Sequence, residues 1–274
     1  MSVQTQPMTT PIGDPVFVSD GERFVPTEAA IGPWSADALQ GSATAALLVR
    51  ALQAHEASRG REVARLSFDF WRPVSRAPIT LEFTLLRDGA KARTVAFDMV
   101  QDGKSVLRCT ALLLRSGQRP ALPAADADAF AAATFAPPEE GAPIPAVASR
   151  MSPFFAGVDV RMARGQILEP GPAAAWLRLG RPLVDAEAAS PLAQVASAAD
   201  LVAGISQWAH PARLGFVNAD LTINLRRAPR GDWVLVDALT LAGPMGTGYA
   251  VGQLHDRDGP VGQCVSSLLF EARG

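Results

Sequence analysis

The apolar residues between positions 35 and 55 recur at the spacing of one helical face, which predicts an amphipathic helix. We expect Ser35 or Asp37 to cap its start, because both side chains accept hydrogen bonds from a first helical turn. Its early turns, residues 41–46, carry almost only small side chains. Such a face indicates close packing against another element of the protein rather than contact with solvent.

The pattern then changes to strict alternation of apolar and polar residues, which is typical of half-buried strands. Four segments alternate in this way or form short apolar runs, and each is predicted to be a strand: 66–70, 79–85, 95–99 and 106–114. Asp88-Gly89 and Asp102-Gly103 predict hairpin turns, because glycine tolerates positive φ. The first half is therefore predicted to be one helix followed by an antiparallel sheet.

Between residues 116 and 149 this pattern dissolves into alanine and proline. Prolines such as Pro123 and Pro137 block regular backbone hydrogen bonding. The shift in composition predicts a linker at 116–149, between an N-terminal unit at 1–115 and a C-terminal unit at 150–274.

The second half repeats the order of the first. Residues 221–225 echo residues 66–70 at an offset of 155, since Leu221 lies 155 positions after Leu66. The turn Asp258-Gly259 echoes Asp102-Gly103 at 156. A further helix rich in small residues is predicted at 192–207. Two separate matches at nearly one offset indicate a duplicated helix-and-sheet unit.

The composition narrows the function classes. Hydrophobic residues make up 48% of the chain and charged residues 19%, which predicts a compact globular protein. A net charge of −2 argues against nucleic acid as a partner. Two cysteines suit a reducing compartment, and no segment has the length and apolarity of a membrane span. We therefore expect a cytoplasmic protein.

A small-residue helix wrapped by an antiparallel sheet is the arrangement of the hotdog fold. The sequence resembles the acyl-CoA thioesterase II family, in which one chain holds two hotdog units. The likeness lies in the segments 63–73, 86–89, 199–201, 218–225 and 256–259. The resemblance implies an α+β fold of two tandem hotdog units, each an antiparallel sheet wrapped round a central helix.

The resemblance also implies a set of residues that hold an attacking water: an aspartate, a hydroxyl residue and a glutamine. By position these are Asp200, Asn218 and Ser266, and the last two differ from the family's usual residues. Asp200 is expected in the middle of an apolar helix, where a carboxylate needs either solvent or a partner. Gln263 lies three positions from Ser266, so on a regular strand it would face the opposite side.

A second group of candidates lies at the start of the first helix. The family often carries His-Gly-Gly there, whereas this chain has Gln40, Gly41 and Ser42. A free backbone amide at a helix start can polarise a thioester carbonyl, and glycine allows the ligand to approach closely. Alternatively, Gly41 serves only the packing of the helix against the sheet.

The remaining candidate residues are arginines, histidines and cysteines. Arg226, Arg227 and Arg230 form a short basic cluster, which either meets the phosphates of coenzyme A or is a solvated face. The three histidines have no paired spacing for zinc, so we expect no metal site and no cofactor. Cys109 and Cys264 occupy equivalent places in the two halves and are expected to be buried.

The leading hypothesis is hydrolysis of acyl-CoA thioesters by water that Asp200 activates. The alternative is a non-catalytic protein that binds acyl-CoA or an acyl carrier protein through a degenerate site, as the departures at Gln40 and Ser266 favour. A dehydratase or hydratase ranks last, because no histidine stands at a matching helix position. The resemblance also suggests a homo-oligomer, a dimer or larger, that associates through sheet edges.

Overall fold

The computed structural model of the protein describes residues 13–117 and 134–272, which form one large antiparallel sheet around two long helices. The strands are β1 Phe17–Ser19, β2 Phe24–Pro26, β3 Arg61–Phe70, β4 Thr80–Asp88, β5 Ala92–Gln101, β6 Lys104–Arg115, β7 Ala142–Pro143, β8 Val158–Arg164, β9 Ala173–Leu179, β10 Pro182–Val184, β11 Glu187–Ala188, β12 Leu214–Asn218, β13 Asp220–Leu225, β14 Val234–Ala242, β15 Thr247–Asp256 and β16 Gly259–Ala272. The helices are α1 Gly41–Ala54, α2 Ala146–Ser149, α3 Pro191–Asp200 and α4 Val202–Ile205. Short 3-10 helices occur at Glu28–Ala30, Glu56–Ser58, Pro138–Glu140 and Phe155–Gly157.

The main sheet has 12 strands in the order β4-β5-β6-β3-β13-β16-β15-β14-β9-β8-β7, with β12 also paired to β16. A smaller sheet of four strands, β11-β10-β1-β2, joins the N-terminal segment to the second half. Within the main sheet, the two halves are joined by the pairing of β3 with β13.

The register of this junction follows the sequence repeat. Leu221 pairs with Phe68, Thr222 with Ser67, and Ile223 with Leu66. With an offset of 155, Thr222 is the counterpart of Ser67, so these two equivalent residues face each other at the centre of the pairing. The Thr222 hydroxyl donates to Ser67 Oγ at 3.3 Å. The duplication predicted from the sequence is confirmed as a pseudo-two-fold arrangement.

The two long helices run antiparallel across each other. Gly41 at the start of α1 lies against Asp200 at the end of α3. At the other end, Ser190, which caps α3, hydrogen-bonds to Gln53 of α1. The faces that meet are built from buried small residues: Ala43, Ala45, Ala46, Ala193, Ala196 and Ala199. Close packing against another element, predicted from the small residues, is confirmed.

The first helix begins at Gly41 and not near Ser35, so the predicted caps are wrong. The preceding segment is held in extended form, since Ile31 and Leu39 form a β-bridge and the Leu39 N–H donates to the carbonyl of Val74. These backbone bonds occupy the residues that the apolar spacing assigned to a helix. Gln40 stands at the N-cap position and makes no capping bond with its side chain.

The second small-residue helix is shorter than predicted. It ends at Asp200, and Leu201 leaves helical geometry before the single turn of α4. The Asn218 side-chain amide donates to the Asp200 carbonyl at 3.2 Å. The carbonyl left by the broken helix therefore has a partner from a strand, which compensates for the interruption.

Part of the predicted linker packs against the second half. Residues 118–133, including Pro123, lie outside the described residues, whereas 134–149 are ordered against the sheet. The Trp176 indole donates to the carbonyl of Ala136 at 2.8 Å, and β7 pairs with β8. This stretch is thus structurally part of the C-terminal unit, and the boundary at 149 stays a prediction.

Replacing Leu66 tests the junction. Leu66 of β3 is 0% exposed, so Leu66→Ala leaves a cavity and is expected to lower the free energy of unfolding by about 2–5 kcal/mol. Leu86→Ala on β4, where the side chain is 50% exposed, is the matched control and should change it by less than about 1 kcal/mol. Urea unfolding measures both, and equal effects would contradict this account of the core.

Candidate active site

The candidate site is built around the carboxylate of Asp200, which is 5% exposed at the end of α3. Three side chains donate hydrogen bonds to it. Ser42 Oγ lies 2.8 Å from Oδ2, Asn218 Nδ2 lies 3.3 Å from Oδ1, and Gln40 Nε2 lies 3.5 Å from Oδ2. The structure therefore brings Gln40, Ser42, Asn218 and Asp200 together from three separate places along the chain.

The protonation of Asp200 reflects two opposing effects. Burial raises the pKa of this carboxyl, and the hydrogen bonds from Ser42, Asn218 and Gln40 oppose that rise only in part. The contributing groups include no cation. A buried carboxylate with a raised pKa is a better proton acceptor than one in water, which makes Asp200 suited to general-base chemistry.

Gly41 is a glycine because the carboxylate occupies the space of a side chain. A Cβ at this position would lie 2.8 Å from Oδ1 and 2.9 Å from Oδ2 of Asp200. Real Cβ atoms do not approach oxygen so closely, and the carboxylate is wedged between two helices. Of the two alternatives for Gly41, close packing is thus directly supported, and the packing partner is Asp200 itself.

Asn218 owes its position to an irregularity in the strand. β12 and β13 both pair with β16, but the register shifts by one residue between Asn218, opposite Leu268, and Thr222, opposite Val265. Such a bulge re-aims a side chain. Asn218 Oδ1 is buried and has no hydrogen-bond partner among the described residues, so it is an available acceptor next to the carboxylate.

Ser266 is also buried, but the structure does not join it to Asp200. It lies on the same face of β16 as Cys264, whose Sγ is 4.0 Å from the carbonyl of Ala199. However, Ser266 Oγ donates to the carbonyl of Asp220 at 2.7 Å. Gln263 is exposed on the opposite face of the strand, as predicted.

The arginine cluster lies beyond the far end of β13 and is largely paired. Arg227 forms an ion pair with the buried carboxylate of Asp256 and donates to the carbonyl of Gly259. Arg230 pairs with Asp258 at 3.2 Å, while Arg226 is exposed. These ion pairs favour a structural role for Arg227 and Arg230 over phosphate binding, because both charges are already compensated.

An aromatic pair beside the site was missed by the sequence analysis. Trp34 is 49% exposed, and its ring meets that of Phe216 edge-on at 6.0 Å between centroids. Phe216 lies on β12, two residues before Asn218. Trp34 sits in a loop, where no periodicity signals a function. The only hint in the sequence was a tryptophan in the segment 32–39, which has mixed polarity.

The described residues contain neither a metal-binding cluster nor a helix that could span a membrane. Within 13–117 and 134–272, no group of three or more His, Cys, Asp or Glu side chains is placed to hold a metal ion. Nor does any helix in those ranges have the length and apolarity needed to cross a membrane.

The chain matches two family models. The acyl-CoA thioesterase N-terminal domain matches residues 30–114, and the acyl-CoA thioesterase C-terminal domain matches residues 128–270. The chain belongs to the acyl-CoA thioesterase family. The resemblance drawn from the sequence is thereby confirmed. The match to the C-terminal thioesterase domain begins at residue 128, inside the predicted linker at 116–149.

Solved structures confirm the predicted fold of two tandem hotdog units. A hotdog-fold protein of unknown function from Alicyclobacillus acidocaldarius superposes with a TM-score of 0.71 at 19% identity, covering 94% of this chain and 96% of the other. Acyl-CoA thioesterase II TesB2 from Mycobacterium marinum gives 0.63 at 20% identity, with 85% and 89% covered. A thioesterase-like protein from Novosphingobium aromaticivorans gives 0.68 at 22%, with 94% and 99% covered. Among curated protein sequences, none matches at a significant level.

The substitution Gly41→Ala tests how closely the Asp200 carboxylate packs against the start of α1. In Gly41→Ala the new Cβ meets the Asp200 carboxylate, so we expect a loss of about 1–3 kcal/mol in the free energy of unfolding. Gly204→Ala in α4 is the control, because nothing lies within 4 Å of its Cβ, and it should keep or slightly raise stability. Urea unfolding of both variants is the measurement, and a Gly41→Ala protein as stable as the parent would contradict the tight fit.

Proposed function

We propose that this protein hydrolyses acyl-CoA thioesters to a free acid and coenzyme A, with Asp200 as the general base for water. The observation that carries the proposal is the buried carboxylate of Asp200, which lies at the start of α1. It receives hydrogen bonds from Gln40 and Ser42 of the first half and from Asn218 of its own half. A carboxylate is expensive to bury, and its retention in an apolar helix crossing needs a function. Membership of the thioesterase family supplies the substrate class.

In the proposed reaction Asp200 accepts a proton from a water molecule while the water oxygen bonds to the thioester carbonyl carbon. The carbonyl oxygen becomes an oxyanion, which then re-forms the carbonyl as the carbon–sulfur bond breaks. Asp200 returns the proton to the departing thiolate, so the base is regenerated. No metal or redox cofactor is required by these steps.

The oxyanion is assigned to the first turn of α1. The Gln40 side chain does not cap this turn, so the Gly41 N–H is not occupied by it. Backbone N–H groups at a helix start carry partial positive charge and stabilise an anion placed before them. The predicted oxyanion group is therefore narrowed to the Gly41 backbone, because the Gln40 and Ser42 side chains both donate to Asp200.

Asn218 is assigned to hold the water. Its Nδ2 donates to Asp200, and its Oδ1 is a buried acceptor without a partner among the described residues. One amide can thus hold the carboxylate and accept a hydrogen bond from the water at the same time. Ser266 is left out of this set, because its hydroxyl bonds to the carbonyl of Asp220.

Asp200→Asn removes the base while keeping the shape of the side chain. We expect kcat/KM for acyl-CoA to fall by about 10²-fold or more, with little change in acyl-CoA binding. Thiol release across acyl chain lengths measures turnover. Asp102→Asn, at an exposed turn, is the matched control and should retain full activity. Turnover that survives the loss of Asp200 would remove it from this role.

The same substitution has a predicted effect on stability. Because burial raises the folded-state pKa of Asp200 above its ordinary value of 3.8, the carboxyl favours folding below that value and loses this contribution as pH rises through the folded pKa. The free energy of unfolding of Asp200→Asn minus that of the parent should therefore increase as pH rises above about 4. Urea unfolding at several pH values measures this difference, and a difference that decreases with rising pH would contradict the sign.

A second candidate function is a non-catalytic protein that binds acyl-CoA or an acyl carrier protein. The position of Ser266 favours it, since the residue at the family's third water-holding position bonds to backbone instead. The thiol-release assay separates the two, because binding of acyl-CoA by the parent without any release of thiol would favour the binding protein.

A further inference from the structure

Ser42 makes the shortest hydrogen bond that the Asp200 carboxylate receives. It is the second residue of α1 and is 0% exposed. Its hydroxyl lies 2.8 Å from Oδ2, compared with 3.3 Å for Asn218 and 3.5 Å for Gln40. Its backbone N–H also acts on the carboxylate. The position of Ser42 at the helix start predicts a role at the oxyanion. In the structure its hydroxyl and its backbone N–H both act on Asp200 of the other half.

Neutral donors alone compensate the charge of Asp200. From α1 the carboxylate meets Ser42 and Gln40, and from β12 it meets Asn218, none of which titrates near neutral pH. From β16 it faces Cys264, where burial raises the thiol pKa to about 12, so this group stays uncharged. Among the described residues no cation acts on the pKa of Asp200, so none offsets the loss of one strong neutral donor.

We propose that Ser42 is a positioning residue, which fixes Asp200 through Oδ2 and leaves the Oδ1 edge, beside Asn218, to the attacking water. This inference rests on the proposed function, because it assigns Ser42 a place in that reaction without contact with the substrate. Hydrogen bonds to a charged carboxylate favour its ionised form. Ser42 thus orients the base and favours its ionised form.

The sequence repeat provides a matched control. The offset of 155 takes Ser42 to Ser197 of α3 and takes Asp200 back to Ala45 of α1. Ser197 is also buried, at 4% exposure. Ser197→Ala therefore removes the same hydroxyl from the equivalent place in the other helix, where an alanine stands in the position of the carboxylate.

The first test is the pH dependence of acyl-CoA hydrolysis. In Ser42→Ala we expect the acid limb of kcat to move up by about one pH unit, with kcat at its plateau reduced about tenfold and KM nearly unchanged. Ser42→Thr, which keeps the hydroxyl, should restore the parent's acid limb. Ser197→Ala should show the parent's profile. Circular dichroism establishes that each variant is folded.

The second test measures Asp200 directly and does not need turnover. In protein labelled with ¹³C at the aspartate carboxyls, Asp200→Asn identifies the Asp200 signal, and its titration is followed in the parent and in Ser42→Ala. A higher pKa in Ser42→Ala supports the proposal, and an unchanged pKa or an unchanged acid limb overturns it. A parent without turnover would refute the hydrolytic function, whereas the titration would still decide whether Ser42 controls Asp200.

Discussion

The close crossing of α1 and α3 is the constraint on which the site depends. Two helices can approach this closely only where their facing residues are small, and both helices carry alanine along the contact. At one end of the crossing, Gly41 has no side chain, and the carboxylate of Asp200 takes the vacant volume. The site is therefore a product of helix packing, and its polar groups are oriented because the apolar contact around them is tight.

The two duplicated units have diverged at the position of the buried carboxylate. The offset of 155 relates Asp200 to Ala45 and Gly41 to Ala196, so alanines stand at the positions equivalent to the carboxylate and to the glycine. Burying a carboxylate costs free energy unless donors compensate it. Divergence after duplication has confined that cost to one end of the crossing of α1 and α3, where Gln40, Ser42 and Asn218 supply the donors. Neither half contains the complete set, since Ser42 and Asp200 come from different units.

Periodicity was enough to predict the repeat, the α+β class and the order of helix and sheet, because these follow from alternating and helical spacing. The grouping of Asp200 with Asn218 came from the family resemblance and not from periodicity. Periodicity did not predict the helix break at Leu201, which depends on Asn218 donating to the Asp200 carbonyl from a distant strand. Nor did it predict the pairing of Arg227 with Asp256, which lie 29 positions apart. Both features are long-range contacts without a local signal.

The local geometry of the strands explains how Asn218 and Ser266 can replace the family's usual residues. In the proposed arrangement Asn218 Oδ1 offers the water an acceptor, while Asn218 Nδ2 donates to Asp200. The bulge after Asn218 brings that amide to the carboxylate, and Ser266 is then free to hold the carbonyl of Asp220 at the same bulge. Ser266 in this arrangement supports the bend that positions Asn218.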